Sequence, residues 1–199
     1  GTNLTCYGGV VPSCENLGLL VGFAEEIEKR YGVEVGIISG GNSSSMHLVY
    51  DGGMPTRINN LRIGEAILLG RETVFGTERE NYYNDTFVLK AEIVEVKEKP
   101  SIPIGEIGRD AFGNVPGFTD RGIRKRAIIA VGKQDIHPDT LIPHDKGIIV
   151  LGGSSDHTIL DISDCEADYG VGDVLSFDLT YGGMLGGMTS PYVHKVLVE

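Results

Sequence analysis

Apolar residues at Leu17, Leu20, Val21, Ala24, Ile27 and Tyr31 recur at the three-and-four spacing of an amphipathic helix, and Gly32 follows as a residue that tolerates a left-handed cap. A short strand-like opening precedes this helix, and the β-branched run over 33–38 follows it. The first forty residues therefore predict strand, helix, strand: one βαβ unit. The apolar run over 61–69 predicts another buried strand and its mouth, reached through the turn-rich Asp51-Gly52-Gly53-Met54-Pro55.

Beyond about residue 87 the helical period disappears. Short β-like pieces are expected over 87–96, 127–131, 147–151, 158–162, 174–179 and 192–198, separated by turns rich in Gly, Pro and Asp. The pattern predicts two domains, an α/β part over 1–85 and a β-rich part over 86–199, with the boundary in the polar stretch 81–86.

Composition narrows the partners. A chain of 199 residues with 41% hydrophobic and 23% charged content can bury an ordinary core. A formal net charge of −11 argues against nucleic acid, whose phosphates recruit basic faces. No apolar run reaches the length of a membrane span, and the start lacks a signal-peptide pattern, so a cytoplasmic protein is expected. Three cysteines without CxxC spacing favour neither a disulfide framework nor structural zinc. His137-Pro138-Asp139 and His144-Asp145 read as turn formers, and no metal is expected.

Candidate chemistry begins at Ser39-Gly40-Gly41-Asn42-Ser43-Ser44-Ser45, directly after a predicted strand. Glycines there allow close backbone approach and hydroxyls add uncharged donors, as a phosphate requires, although a strand-to-helix turn with a serine cap uses the same residues. Arg62-Ile63-Gly64-Glu65 adds a fixed cation and approachable backbone N–H groups, with a surface ion pair as the plainer role for Arg62.

These two segments, with their spacing, the ending Asp178-Leu179-Thr180-Tyr181-Gly182 and the run Met188-Thr189-Ser190-Pro191-Tyr192-Val193, resemble the fold-type III pyridoxal-phosphate-dependent amino-acid racemases of the alanine racemase type, most closely the ornithine racemase-like branch. The resemblance implies the C-terminal part of a (β/α)8 TIM barrel followed by a mostly β domain, and a homodimer with shared active sites acting on a small-molecule amino acid. It also implies that Gly41, Asn42, Ser43, Gly64, Glu65 and Tyr181 hold the cofactor phosphate and that Arg62 faces the pyridine nitrogen. An arginine there leaves that nitrogen unprotonated and the ring a weaker electron sink, which suits racemisation by two opposed bases.

Two departures stand beside the resemblance. The lysine that such enzymes join to the cofactor lies on the first barrel strand, and no lysine of this sequence matches it, so a missing N-terminal segment or a companion chain is expected. Lys133 stands where alanine racemases carry a catalytic tyrosine, so Lys133, Asp156 and His157 are the candidates for the second base. Imidazole suits that task without perturbation, whereas a lysine needs desolvation. Each also has a plainer reading, Lys133 as a solvated strand end and Asp156-His157 as a turn. A non-catalytic module that binds pyridoxal phosphate or another phosphorylated ligand is the alternative function. A part-barrel exposes apolar strand edges, so the chain alone should dimerise or aggregate, which sedimentation velocity would detect as the loss of a monomer boundary.

Overall fold

In the computed structural model, which describes residues 1–77 and 80–198, Ser13 starts the first helix, α1 (Cys14–Tyr31). The Ser13 hydroxyl accepts from the Asn16 N–H at 3.1 Å and the Asn16 carbonyl oxygen accepts from the Ser13 N–H at 2.8 Å, a reciprocal cap of the kind that contributes about 1 kcal/mol. Gly32, at φ 65°, closes the other end by donating to the Glu28 carbonyl. Ala24 of α1 packs with Ile38 and Ile58, flanked by Leu20, Val21, Val35 and Met54.

This helix belongs to the first of two compact units, Gly1–Thr86. Strand β1 (Ser39–Asn42) pairs in parallel with β2 (Asn60–Arg62), and the short helices α2 (Met46–Tyr50) and α3 (Glu65–Leu68) follow them. The strand expected over 33–38 does not form. Side chains take its backbone groups instead: Val35 N–H donates to Glu28, Ile38 N–H to Asn59, and Asn59 Nδ2 donates to the Gly36 carbonyl. The opening residues likewise form no strand, although Thr2 N–H donates to the Ser39 carbonyl at 3.1 Å. The run over 61–69 is strand only to Arg62, because the Ser43 hydroxyl captures the amides of Gly64 and Ala66 and turns the chain into α3.

The second unit, Phe87–Glu199, is an antiparallel sheet of six strands in the order β5-β8-β3-β4-β7-β6: β3 (Val88–Pro100), β4 (Ile123–Ile129), β5 (Leu141–Pro143), β6 (Ile149–Gly153), β7 (Thr158–Asp161) and β8 (Val174–Leu179). Its core is Ile93, Ala127, Ile129, Leu160, Leu175 and Phe177, all buried. The length of β3 exceeds expectation because it serves two partners, β8 along 88–92 and β4 along 93–100. Between them the register shifts: Ile93 faces Ile129, Glu95 faces Ile128, and Val94 is the extra residue of a bulge. The insertion reverses which side chains point inward. Ile93 is buried before it, and afterwards Val96 lies opposite buried Ala127 while Glu95 and Lys97 move to the other face.

A helix absent from the sequence expectation, α4 (Tyr181–Thr189), follows β8. Its four glycines lower helix propensity, but a Cβ at Gly183 would lie 2.6 Å from Thr140 Oγ1 and one at Gly186 2.7 Å from the Asp135 carbonyl, so packing decides against propensity. The expected strand over 192–198 does not form among the described residues, where Tyr192 N–H instead donates to Ser190 Oγ.

Part of the acid stability follows from one glutamate in each unit, Glu28 with Arg57 and Glu95 with Lys97 and Lys99. Arg57 donates to both oxygens of Glu28, at 2.8 and 3.1 Å, and chiefly for that reason the Glu28 carboxyl is held down to about 2 from its ordinary 4.5. Glu95, between Lys97 and Lys99, is likewise held down to about 2. A depressed carboxyl stabilises the folded state above its unfolded value and loses that contribution as pH falls through the folded one. The melting temperature should therefore drop between pH 4.5 and 2, and Glu28→Gln with Glu95→Gln should flatten that part of the profile measured by circular dichroism.

Candidate functional site

In the first unit, the parallel pairing of β1 and β2 sets Asn42 opposite Arg62, so the two sequence-predicted donor segments leave the sheet side by side. Asn42 is committed internally: its side-chain oxygen accepts from the Ser44 N–H at 3.0 Å and the Ser44 hydroxyl at 2.6 Å, and its Nδ2 donates to Cys6 Sγ at 3.2 Å. Gly41, at φ 112°, and Ser45, whose hydroxyl donates to the Gly40 carbonyl at 2.6 Å, complete a tight turn.

Ser43 is the hub. Its buried hydroxyl oxygen accepts from the Gly64 N–H at 3.2 Å and the Ala66 N–H at 3.1 Å, and no acceptor for its own hydrogen is found among the described residues. An oxygen with both lone pairs engaged can act further only as a donor. Arg62 is held by the Ser39 hydroxyl and by the Thr2 carbonyl at 2.7 Å, which among the described residues leaves three of the five guanidinium N–H donors uncommitted. Glu65, the first residue of α3, is half-buried; desolvation raises its carboxyl, opposed by Arg71 at 3.6 Å. The segment 39–45 carries no acidic side chain and presents hydroxyl and amide donors, so its chemistry fits an anionic group.

The second unit brings Lys133, Asp156 and His157 onto one strip. Lys133 N–H donates to the Ser154 carbonyl at 3.0 Å and Gln134 N–H to the Ser155 carbonyl at 2.8 Å. Only a glycine permits this approach at 132, since a Cβ there would sit 2.5 Å from the backbone nitrogens of both Asp156 and His157. Asp156 Oδ1 lies 3.1 Å from His157 Nδ1 and accepts from the Ser154 hydroxyl at 3.1 Å, and the bond from His157 leads the causes that hold the Asp156 carboxyl below its ordinary value. His157 opens on a cleft of about 430 Å³ lined also by Val94, Glu95, Ile128, Ser154 and Ile159. A buried bond of 2.5 Å from the Ser190 hydroxyl to Asp135 ties the Lys133 turn to the end of α4, whose first residue is Tyr181, partly exposed.

Sequence reading missed the role of one residue here and the whole of another. Ser39 fixes Arg62, and its only signal was its place at the head of the serine-glycine run. The ring of Phe112 lies 3.6 Å from Lys133 Nζ, and nothing in the sequence ties positions 112 and 133 together. Among the described residues no group of three or more His, Cys, Asp or Glu could hold a metal, and no helix is long and apolar enough to cross a membrane.

No family model matches the chain. It is 52% identical over 198 residues to the ornithine racemase of Acetoanaerobium sticklandii, covering 100% of this chain and 56% of that protein, and 49% identical over 196 residues to the lysine racemase of Thermotoga maritima, covering 98% and 55%. The chain is a homologue of these racemases. Among solved structures it resembles the alanine racemase of Bartonella henselae with covalently bound pyridoxal phosphate, at a TM-score of 0.55 and 18% identity over 86% of this chain and 45% of that one. The chain thus has the expected fold class, an α/β segment and a β domain of the alanine racemase type, and spans about half the length of the curated relatives it matches, in their C-terminal part.

Replacing Ser43 with Ala strands two amides at once, the buried one of Ala66 and the half-buried one of Gly64. The expected cost is about 2 kcal/mol or more, read as a lower urea midpoint with an unchanged slope; an unaltered midpoint would show that Ser43 is not the hub.

Proposed function

We propose that this chain is the C-terminal part of a pyridoxal-phosphate-dependent racemase of ornithine- or alanine-type amino acids, which removes the α-proton on one face and returns it on the other. The observation that carries the reading is the identity of about one half, along the whole chain, to two amino-acid racemases. In this reading the working enzyme also needs a lysine-bearing segment, in the same polypeptide or a companion, and works in the cytoplasm as a homodimer whose subunits complete each other's sites.

The cofactor, when bound, withdraws electrons from the α-carbon of the attached amino acid and so acidifies its proton. The Ser43 hydroxyl, with its hydrogen uncommitted, donates to the phosphate, and Gly41, Asn42 and the backbone of Gly64 and Glu65 shape the cradle around it. Arg62, braced by Ser39 and Thr2, offers a remaining N–H to the ring nitrogen. In the second unit Asp156 accepts the Nδ1–H of His157, which leaves Nε2 with the free lone pair and fits it to take a proton. Lys133, on the same strip, is the competing proton carrier.

The test uses the intact protein with its lysine-bearing segment. It should develop the visible absorbance of lysine-bound pyridoxal phosphate and abolish the optical rotation of D- or L-ornithine or of alanine. His157→Gln should lower kcat about 100-fold or more if His157 carries the proton, and Lys133→Ala should do so if the lysine does. With neither absorbance nor loss of rotation the racemase reading fails. Cofactor binding without α-proton exchange in deuterated water would instead assign a non-catalytic carrier of pyridoxal phosphate or of another phosphorylated ligand.

A further inference from the structure

Between β3 and β4 runs a loop, 102–122, that has no regular secondary structure yet is tied at both ends and at its tip. At its base Ser101 is buried: its N–H donates to the Gly122 carbonyl at 2.9 Å, its hydroxyl accepts from the Arg121 N–H at 2.7 Å, and Arg126 donates to its carbonyl at 3.1 Å. At its tip the Asp110 carboxylate accepts from the backbone N–H groups of Phe112, at 2.9 Å, and Asn114, at 2.8 Å, while Arg109 donates to the Gly113 carbonyl at 2.7 Å. The Asn114 amide leads the causes that hold the Asp110 carboxyl below its ordinary value, and Lys133 is a further one. These bonds hold the backbone at Phe112, whose side chain lies against Lys133.

Over the Phe112 ring stands the Lys133 ammonium, 3.6 Å from the centroid, on the attractive face of the ring and with the Asp110 charge nearby. Lysine has a long, flexible stem, and its terminal nitrogen has no salt bridge among the described residues, so the loop supplies what orients it. Its backbone, by contrast, is already locked against Ser154 beside Asp156 and His157.

We propose that Phe112 is a positioning residue for Lys133: the loop delivers an aromatic face that sets the direction of the Lys133 amine relative to the Asp156–His157 strip. The catalytic consequence rests on the racemase reading; the contact does not. A leucine at 112 keeps an apolar side chain but lacks the ring face, whereas tyrosine keeps the face, so the pair separates the electrostatic contact from simple packing.

The first arm needs no cofactor. A limiting pulse of an amine-acetylating ester, followed by peptide mass spectrometry, gives the labelling of Lys133 relative to exposed Lys146. Phe112→Leu should raise that ratio about threefold and Phe112→Tyr should leave it unchanged, with circular dichroism confirming that both fold. An unchanged ratio in Phe112→Leu overturns the contact. In the second arm the intact enzyme carrying Phe112→Leu should lose about tenfold in kcat at constant KM, restored by Phe112→Tyr. Altered labelling without that loss overturns the positioning role. Absence of racemisation in the unsubstituted enzyme defeats the racemase reading and with it the catalytic half of the proposal, while the labelling arm still decides the contact.

Discussion

The approach of the Gly132 peptide to the peptide joining Asp156 and His157 is the constraint on which the second unit's polar strip depends. With 2.5 Å between a hypothetical Cβ and those nitrogens, no side chain fits, and the two backbones run together closely enough to exchange hydrogen bonds at Lys133 and Gln134. Chemistry-bearing residues far apart in sequence are thus aligned by main chain. Side chains then need only local fixing: Asp156 steadies His157, Phe112 steadies Lys133, and the Asp135–Ser190 bond clamps the turn from behind.

In the first unit the corresponding element is a single hydroxyl. Ser43 gathers two amides that a short helix would otherwise leave unsatisfied, and in doing so holds the end of β1 against the start of α3. That structural duty leaves the same group one way to bond further, because an oxygen that has accepted twice has only its hydrogen left to offer. Arg62 follows the same logic, since bracing by Ser39 and Thr2 consumes two donors and aims the rest.

Much of this was legible from residues alone. Helix α1 and its Gly32 stop follow from apolar spacing, and the change to β-rich structure after residue 86 follows from the loss of that spacing. Strands over 33–38 and 192–198 were expected from β-branched composition and are missing among the described residues, because composition does not reveal that Glu28 and Asn59 claim the first segment's backbone groups. Helix α4 was invisible for the opposite reason: its glycines argue against a helix locally, and only Thr140 and Asp135, packed against it, explain them. At the candidate site, the serine-glycine run and Arg62 stand out by their own chemistry, whereas the contacts of Ser39 with Arg62 and of Phe112 with Lys133 show only in the fold.

The bulge at Val94 carries a wider implication. A strand that serves two partners must keep its apolar side on one core, yet Ile93 and Val96 are an odd number of positions apart, so strict alternation would fail midway along β3. One surplus residue resets the phase, much as a single inserted base resets a reading frame. The chain tolerates this sequence of apolar and charged positions only because that residue is there, which makes position 94 a place where length, rather than side-chain identity, is what natural variation has to respect.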